Sequence, residues 1–76
     1  MKKQGLYACI FPNVARLMLK EKMSGVELAK KAGMNINTLS RKLRGSQDLW
    51  LEEAMSIRRA LGTKMTLDEL FETAEE

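Results

Sequence analysis

Two helix starts and two helix stops are written into the stretch from Ser24 to Gly45, and they constrain this chain more than any other feature. Ser24-Gly25-Val26-Glu27 reads as a capping box, in which the serine hydroxyl accepts from the third helical amide and the glutamate reaches back to the serine amide. Gly33 can enter the left-handed region without a Cβ penalty and so ends that helix. Asn35 is suited to cap a second helix running to Arg44, which Gly45 closes in the same way. The result is a pair of short helices joined by a brief turn containing glycine, the pattern of a DNA-reading helix pair.

Further helices flank this pair. Pro12-Asn13 opens one before it, with proline suited to the first helical position and asparagine able to cap the free amides. A fourth helix is expected from about Trp50 to Leu61, with Trp50, Ala54, Ile57 and Leu61 stepping down one side and Gly62 stopping it. Thr66-Leu67-Asp68-Glu69 is a second capping box, and Leu67, Leu70, Phe71 and Ala74 follow at helical spacing. No window alternates long enough to argue for a sheet, although Leu6 to Phe11 could pair locally. The fold class expected is all-α: a compact five-helix domain over residues 12–76, preceded by an N-terminal arm over residues 1–11.

At 76 residues the chain is near the size at which a hydrophobic core alone supplies only roughly 3–5 kcal/mol. Cys9 is its single cysteine and histidine is absent, so no internal disulfide can form and neither a metal nor a cofactor is expected. A lone cysteine fits a reducing cytoplasm. The apolar run from Leu6 to Phe11 is shorter than the about 7–15 residues of a signal-peptide core, and no stretch is long enough for a membrane span. An enzyme is not expected either: there is no glycine-rich phosphate loop, and Glu52 and Glu53, adjacent on a helix, do not face each other.

Charge is unevenly spread. Residues 1–46 carry ten lysines and arginines against Glu21 and Glu27, a balance of +8, whereas residues 47–76 carry Arg58, Arg59 and Lys64 against eight acids, a balance of −5. That asymmetry points to a polyanion partner for the first half. The second helix of the pair sharpens the point. With Leu39 at the centre of its buried stripe, Leu43 and Ile36 lie within about 60°, and Asn37, Ser40, Arg41 and Arg44 cluster on the opposite side without a single acid. Solvated helix faces normally mix both signs. Asn37 can pair bidentately with adenine and Arg41 with guanine, Ser40 can contact a base or phosphate, and Lys42 and Arg44 are placed for phosphates. Ile36 is open to two uses, packing at the core edge or touching a thymine methyl.

Leu28-Ala29-Lys30-Lys31-Ala32-Gly33-Met34-Asn35, followed by Thr38-Leu39-Ser40-Arg41-Lys42-Leu43-Arg44-Gly45, resembles the Cro/repressor-type helix-turn-helix family of phage and bacterial DNA-binding regulators. Leu61-Gly62 and Thr66 to Phe71 resemble that family's last two helices, so the likeness runs from about Pro12 to Phe71. It implies a cytoplasmic, nucleoid-associated transcriptional repressor, dimeric on a palindromic double-stranded operator, with its third helix in the major groove. Base-reading positions then fall on Ile36, Asn37, Ser40 and Arg41, and Ser24, Asn35, Thr38, Arg44 and Ser46 would lie near phosphates. No small-molecule ligand and no membrane partner are implied.

Three departures from the family pattern stand out. Gly25 occupies the position where many members carry glutamine. Met18 and Leu43 replace a buried Arg–Glu pair, an exchange that is often neutral or stabilising. Thr63-Lys64-Met65 lengthens the loop before the last helix. For a dimer, the apolar surfaces expected to be free are Phe71 and Ala74, with the arm Leu6–Phe11. A second reading, from a different class, is a protein-interaction module of antitoxin or anti-repressor type, holding its partner through the acidic C-terminal half.

Overall fold

Five helices form in the order in which their caps occur along the chain: α1 (Pro12–Lys20), α2 (Gly25–Ala32), α3 (Ile36–Leu43), α4 (Leu51–Leu61) and α5 (Leu67–Leu70). The computed structural model describes residues 9–73, and no strand occurs among them. Both expected capping boxes are made. The Ser24 hydroxyl accepts from the Glu27 amide at 3.1 Å while Glu27 Oε1 accepts from the Ser24 amide at 2.9 Å. Thr66 and Glu69 exchange the same two bonds at 3.2 and 3.0 Å. Asn35 Oδ1 caps α3 by accepting from the Asn37 amide at 2.8 Å.

The turn between α2 and α3 depends on Gly33, whose φ of 71° lies in the left-handed region that side chains with a Cβ avoid. Gly45 is doubly constrained. Its φ is 84°, and an added Cβ would sit 3.0 Å from Ile10 Cδ1. The incoming chain crosses α3 at this point, where the Ile10 amide donates to Leu43 O at 2.8 Å.

Val14, Met18, Leu28, Leu39, Ile57 and Leu70 are the large side chains wholly removed from solvent, so every helix contributes to one core. α2 packs chiefly on α4 and on α3, and α5 closes the bundle against α4 and α1. The radius of gyration, 11.2 Å, matches the roughly 11 Å expected of a folded chain of this length.

Four sequence expectations are revised. Asn13 does not cap α1: its Nδ2 donates to Glu69 O at 2.7 Å and its Oδ1 accepts from Arg16 at 2.6 Å, which ties α1 to the first turn of α5. Trp50 does not join the buried stripe and is 68% exposed. It is the N-cap residue of α4, in extended backbone where the helical period does not yet apply, and the part-buried Leu49 packs inward instead. α5 is a single turn that ends at Leu70. Finally, Phe11 is core and not free arm surface: its ring meets the half-buried Phe71 edge-on at 5.1 Å. Leu6, Tyr7, Ala8 and Ala74 lie outside the described residues.

The longer loop before α5 is held from α4. Arg58 Nε donates to Met65 O, the Met65 amide donates to Thr63 Oγ1 at 3.2 Å, and the Met65 side chain packs on the core.

Candidate nucleic-acid interface

Leu39 and Leu43 anchor one side of α3 in the core, and this orients the other side outward. Asn37, Arg41 and Arg44 are exposed, and Ser40 is half-buried between them. α3 contains no acid, and the only ion pair among the described residues is made elsewhere by Lys42. Arg41 and Arg44 therefore pair with no carboxylate among the described residues. A surface of this kind attracts phosphate and offers guanidinium forks to base edges.

The flanking expected residues are distributed around this face. Ser24, Asn35 and Ser46 are exposed, and Thr38 is half-buried. Asn35 spends its carbonyl oxygen on the Asn37 amide, which leaves its two N–H donors for a phosphate. Ser24 retains one hydroxyl proton after its cap bonds, but the Glu27 carboxylate stands beside it and would repel an anion. The structure thus brings Asn35, Asn37, Arg41 and Arg44 together as donors and weakens the case for Ser24.

Lys42 requires a correction. Expected to reach phosphate, it is only 5% exposed. Its Nζ lies 3.0 Å from Glu53 Oε1 and donates to Asp48 O at 2.8 Å. Since Glu53 Oε1 also accepts from the Trp50 amide at 2.9 Å, one carboxylate caps α4 and holds the end of α3. Lys42 is a clamp between the two helices. The helix wheel contained the signal: position 42 falls about 60° from Leu39, at the edge of the buried stripe.

Partial burial alone would raise the Glu53 carboxyl, but the Trp50 amide and the Lys42 ammonium outweigh it and hold Glu53 below its ordinary range. A carboxyl depressed in the folded state contributes stability above its unfolded pKa, and that contribution is lost as pH falls through the folded value. Acidification should therefore weaken the α3–α4 junction. Lys42→Met is expected to cost about 1–2 kcal/mol at neutral pH, less than for a fully buried pair because Glu53 keeps solvent and its cap. Urea titrations at neutral and acidic pH check this: the cost should shrink on acidification, when Glu53 is protonated in both proteins.

Ile36 is 37% exposed and sits at the rim of an apolar cavity of about 80 Å³. Cys9, Met18, Gly25, Leu39, Ser40 and Leu43 complete the lining, so Met18 and Leu43 both border the cavity as an apolar pair. Burial pushes the Cys9 thiol up against weaker opposing hydrogen bonds to Phe11 and Ala15, and the side chain packs against the core. A Cβ on Gly25 would meet only Ile36 Cδ1, at an ordinary 3.5 Å. Gly25→Ala is thus expected to stabilise the fold by roughly 0.4–1 kcal/mol, chiefly by restricting the unfolded chain, and thermal melts would register it as a higher Tm.

No helix of the described residues is long and apolar enough to cross a membrane, and no cluster of metal-ligating side chains occurs among them. No family model, curated protein or solved structure matches this chain.

Proposed function

We propose that this domain binds double-stranded DNA sequence-specifically and acts as a transcriptional repressor of the phage or mobile-element kind, with α2 and α3 as a helix-turn-helix and α3 lying in the major groove. One observation carries the reading: α3 turns outward a face of Asn37, Ser40, Arg41 and Arg44 that holds no acid and forms no ion pair among the described residues. Arg44 and Asn35 supply phosphate contacts, helped by Thr38 and Ser46. Each phosphate neutralised releases counterions, which gives affinity that falls as salt rises. Asn37, Ser40 and Arg41 discriminate among bases, a good bidentate pair being worth about 1–3 kcal/mol against a wrong one. Ile36, with a third of its surface free at the start of α3, can reach a thymine methyl while its base stays packed.

One such helix reads only a few base pairs, so useful specificity requires two copies related by a two-fold axis, their α3 helices about 34 Å apart on a palindromic operator. Selection of bound sequences from a random duplex pool at two salt concentrations tests the proposal. Enrichment of a palindrome, with affinity declining steeply as salt increases, is the expected result. Failure to enrich any sequence at low salt would refute it.

A further inference from the structure

Of the seven large apolar side chains exposed among the described residues, Trp50, Leu51 and Met55 lie on α4 or at its N-cap. Its inner side, Ala54, Ile57 and Leu61, is buried, yet Leu51 and Met55 face solvent and Trp50 projects at the helix entrance. Taking Met55 as origin, Leu51, Glu52, Arg58 and Arg59 all fall within about 60° of it. One stripe therefore runs from an acid, through an apolar centre, to two arginines. Acids in a first turn and arginines in a last turn also complement the helix dipole. The dipole does not account for two large apolar side chains, Leu51 and Met55, left open on the same side with Trp50 exposed at the helix entrance.

We propose that this outward face of α4 is the contact between two copies of the chain, packed antiparallel about a two-fold axis at Met55. The charge pattern selects that occupant and that direction. In an isologous contact a residue before the axis meets one after it in the second copy, and the reverse. Glu52 then faces Arg59 of the other copy twice over, Met55 meets Met55, and Leu51 lies along the aliphatic stem of Arg58. A parallel pairing would set acid against acid and arginine against arginine.

Shape agrees with charge. Beyond Met55 a surface depression of about 390 Å³ is lined by Met55, Arg58, Arg59, Gly62, Thr63 and Leu67. In the antiparallel pairing the N-terminal end of one α4, with Trp50 as its N-cap, lies against the end of the other that borders this depression. A seam built on one eleven-residue helix is at the small end of specific interfaces, below about 1,200 Å² in total. The dimer is accordingly expected to dissociate in roughly the micromolar range. In its use the inference rests on the DNA-binding reading, because paired α3 helices need a two-fold dimer; its evidence on α4 is separate.

Sedimentation equilibrium without DNA, from about 1 µM to about 1 mM protein, provides the test. The unaltered chain should pass from monomer to dimer across that range. Met55→Glu, which places two carboxylates at the axis, should weaken association at least about tenfold. Glu52→Arg and Arg59→Glu should each weaken it, and the double variant should restore it, since the pair is then merely exchanged. All three positions are exposed, and circular dichroism verifies that each variant keeps its helices. A monomer throughout, a dimer indifferent to Met55→Glu, or a double exchange that fails to restore association would overturn the interface. Association that persists in a chain found not to bind DNA would uphold the seam and refute only the DNA reading.

Discussion

Leu39→Ala is expected to lower the unfolding free energy by about 2–5 kcal/mol, the largest effect on stability of any single substitution in α3. The side chain has no solvent exposure and lies at the centre of the buried stripe that fixes the direction of α3. Truncation removes its transfer free energy and leaves a void, and Leu39 already borders a cavity of about 80 Å³, so the surroundings have little spare material to fill the gap. Domains are stable by roughly 0.05–0.15 kcal/mol per residue, which for this chain amounts to about 4–11 kcal/mol. The loss thus consumes about a fifth of the margin at the least and all of it at the worst. Urea denaturation monitored by circular dichroism checks this, with Leu19→Ala on α1 as a control at an exposed position expected to change stability by less than about 0.5 kcal/mol. A loss under about 1 kcal/mol for Leu39→Ala would contradict the packing described here.

Arg41→Glu is the functional counterpart. The guanidinium is exposed and makes no ion pair among the described residues, so folding stability should change by less than about 0.5 kcal/mol. Affinity for a selected duplex should fall by about 100-fold or more, combining a lost bidentate contact of about 1–3 kcal/mol with repulsion between the new carboxylate and the DNA. The comparison that matters is Lys64→Glu, an equal change of net charge at an exposed position of the acidic half. If charge alone governed binding, the two variants would weaken it alike. If α3 lies in the groove, Arg41→Glu should be far the more damaging and should also relax preference at one base pair, read by repeating the sequence selection. Equal losses would remove Arg41 from the proposed reading surface.

Several features of the fold could be anticipated because they are local. Capping boxes close within four residues, so Ser24–Glu27 and Thr66–Glu69 predict their own geometry. The left-handed glycine stops and the apolar stripe of α3 are equally short-range. The outward side of α3 followed directly, since a helix that buries Leu39 and Leu43 must turn Asn37, Arg41 and Arg44 away. Asn13 failed for the complementary reason. A good capping residue by local rules, it instead donates to Glu69 O on α5, a partner 56 positions along the chain.

Lys42 and Trp50 mark the same boundary between near and distant information. The ammonium could be buried only because α4 delivers Glu53 and the connecting segment delivers the Asp48 carbonyl, and nothing within one turn of Lys42 announces either. Trp50 stands outside while Leu49, one position earlier, packs against the core, a choice made by tertiary packing. Helix limits and the polarity of each face were set by contacts within a few residues, where a linear reading has full access. Which charge is clamped, which aromatic stays outside and how the last turn is fastened depended on groups that become neighbours only after the chain has closed on itself.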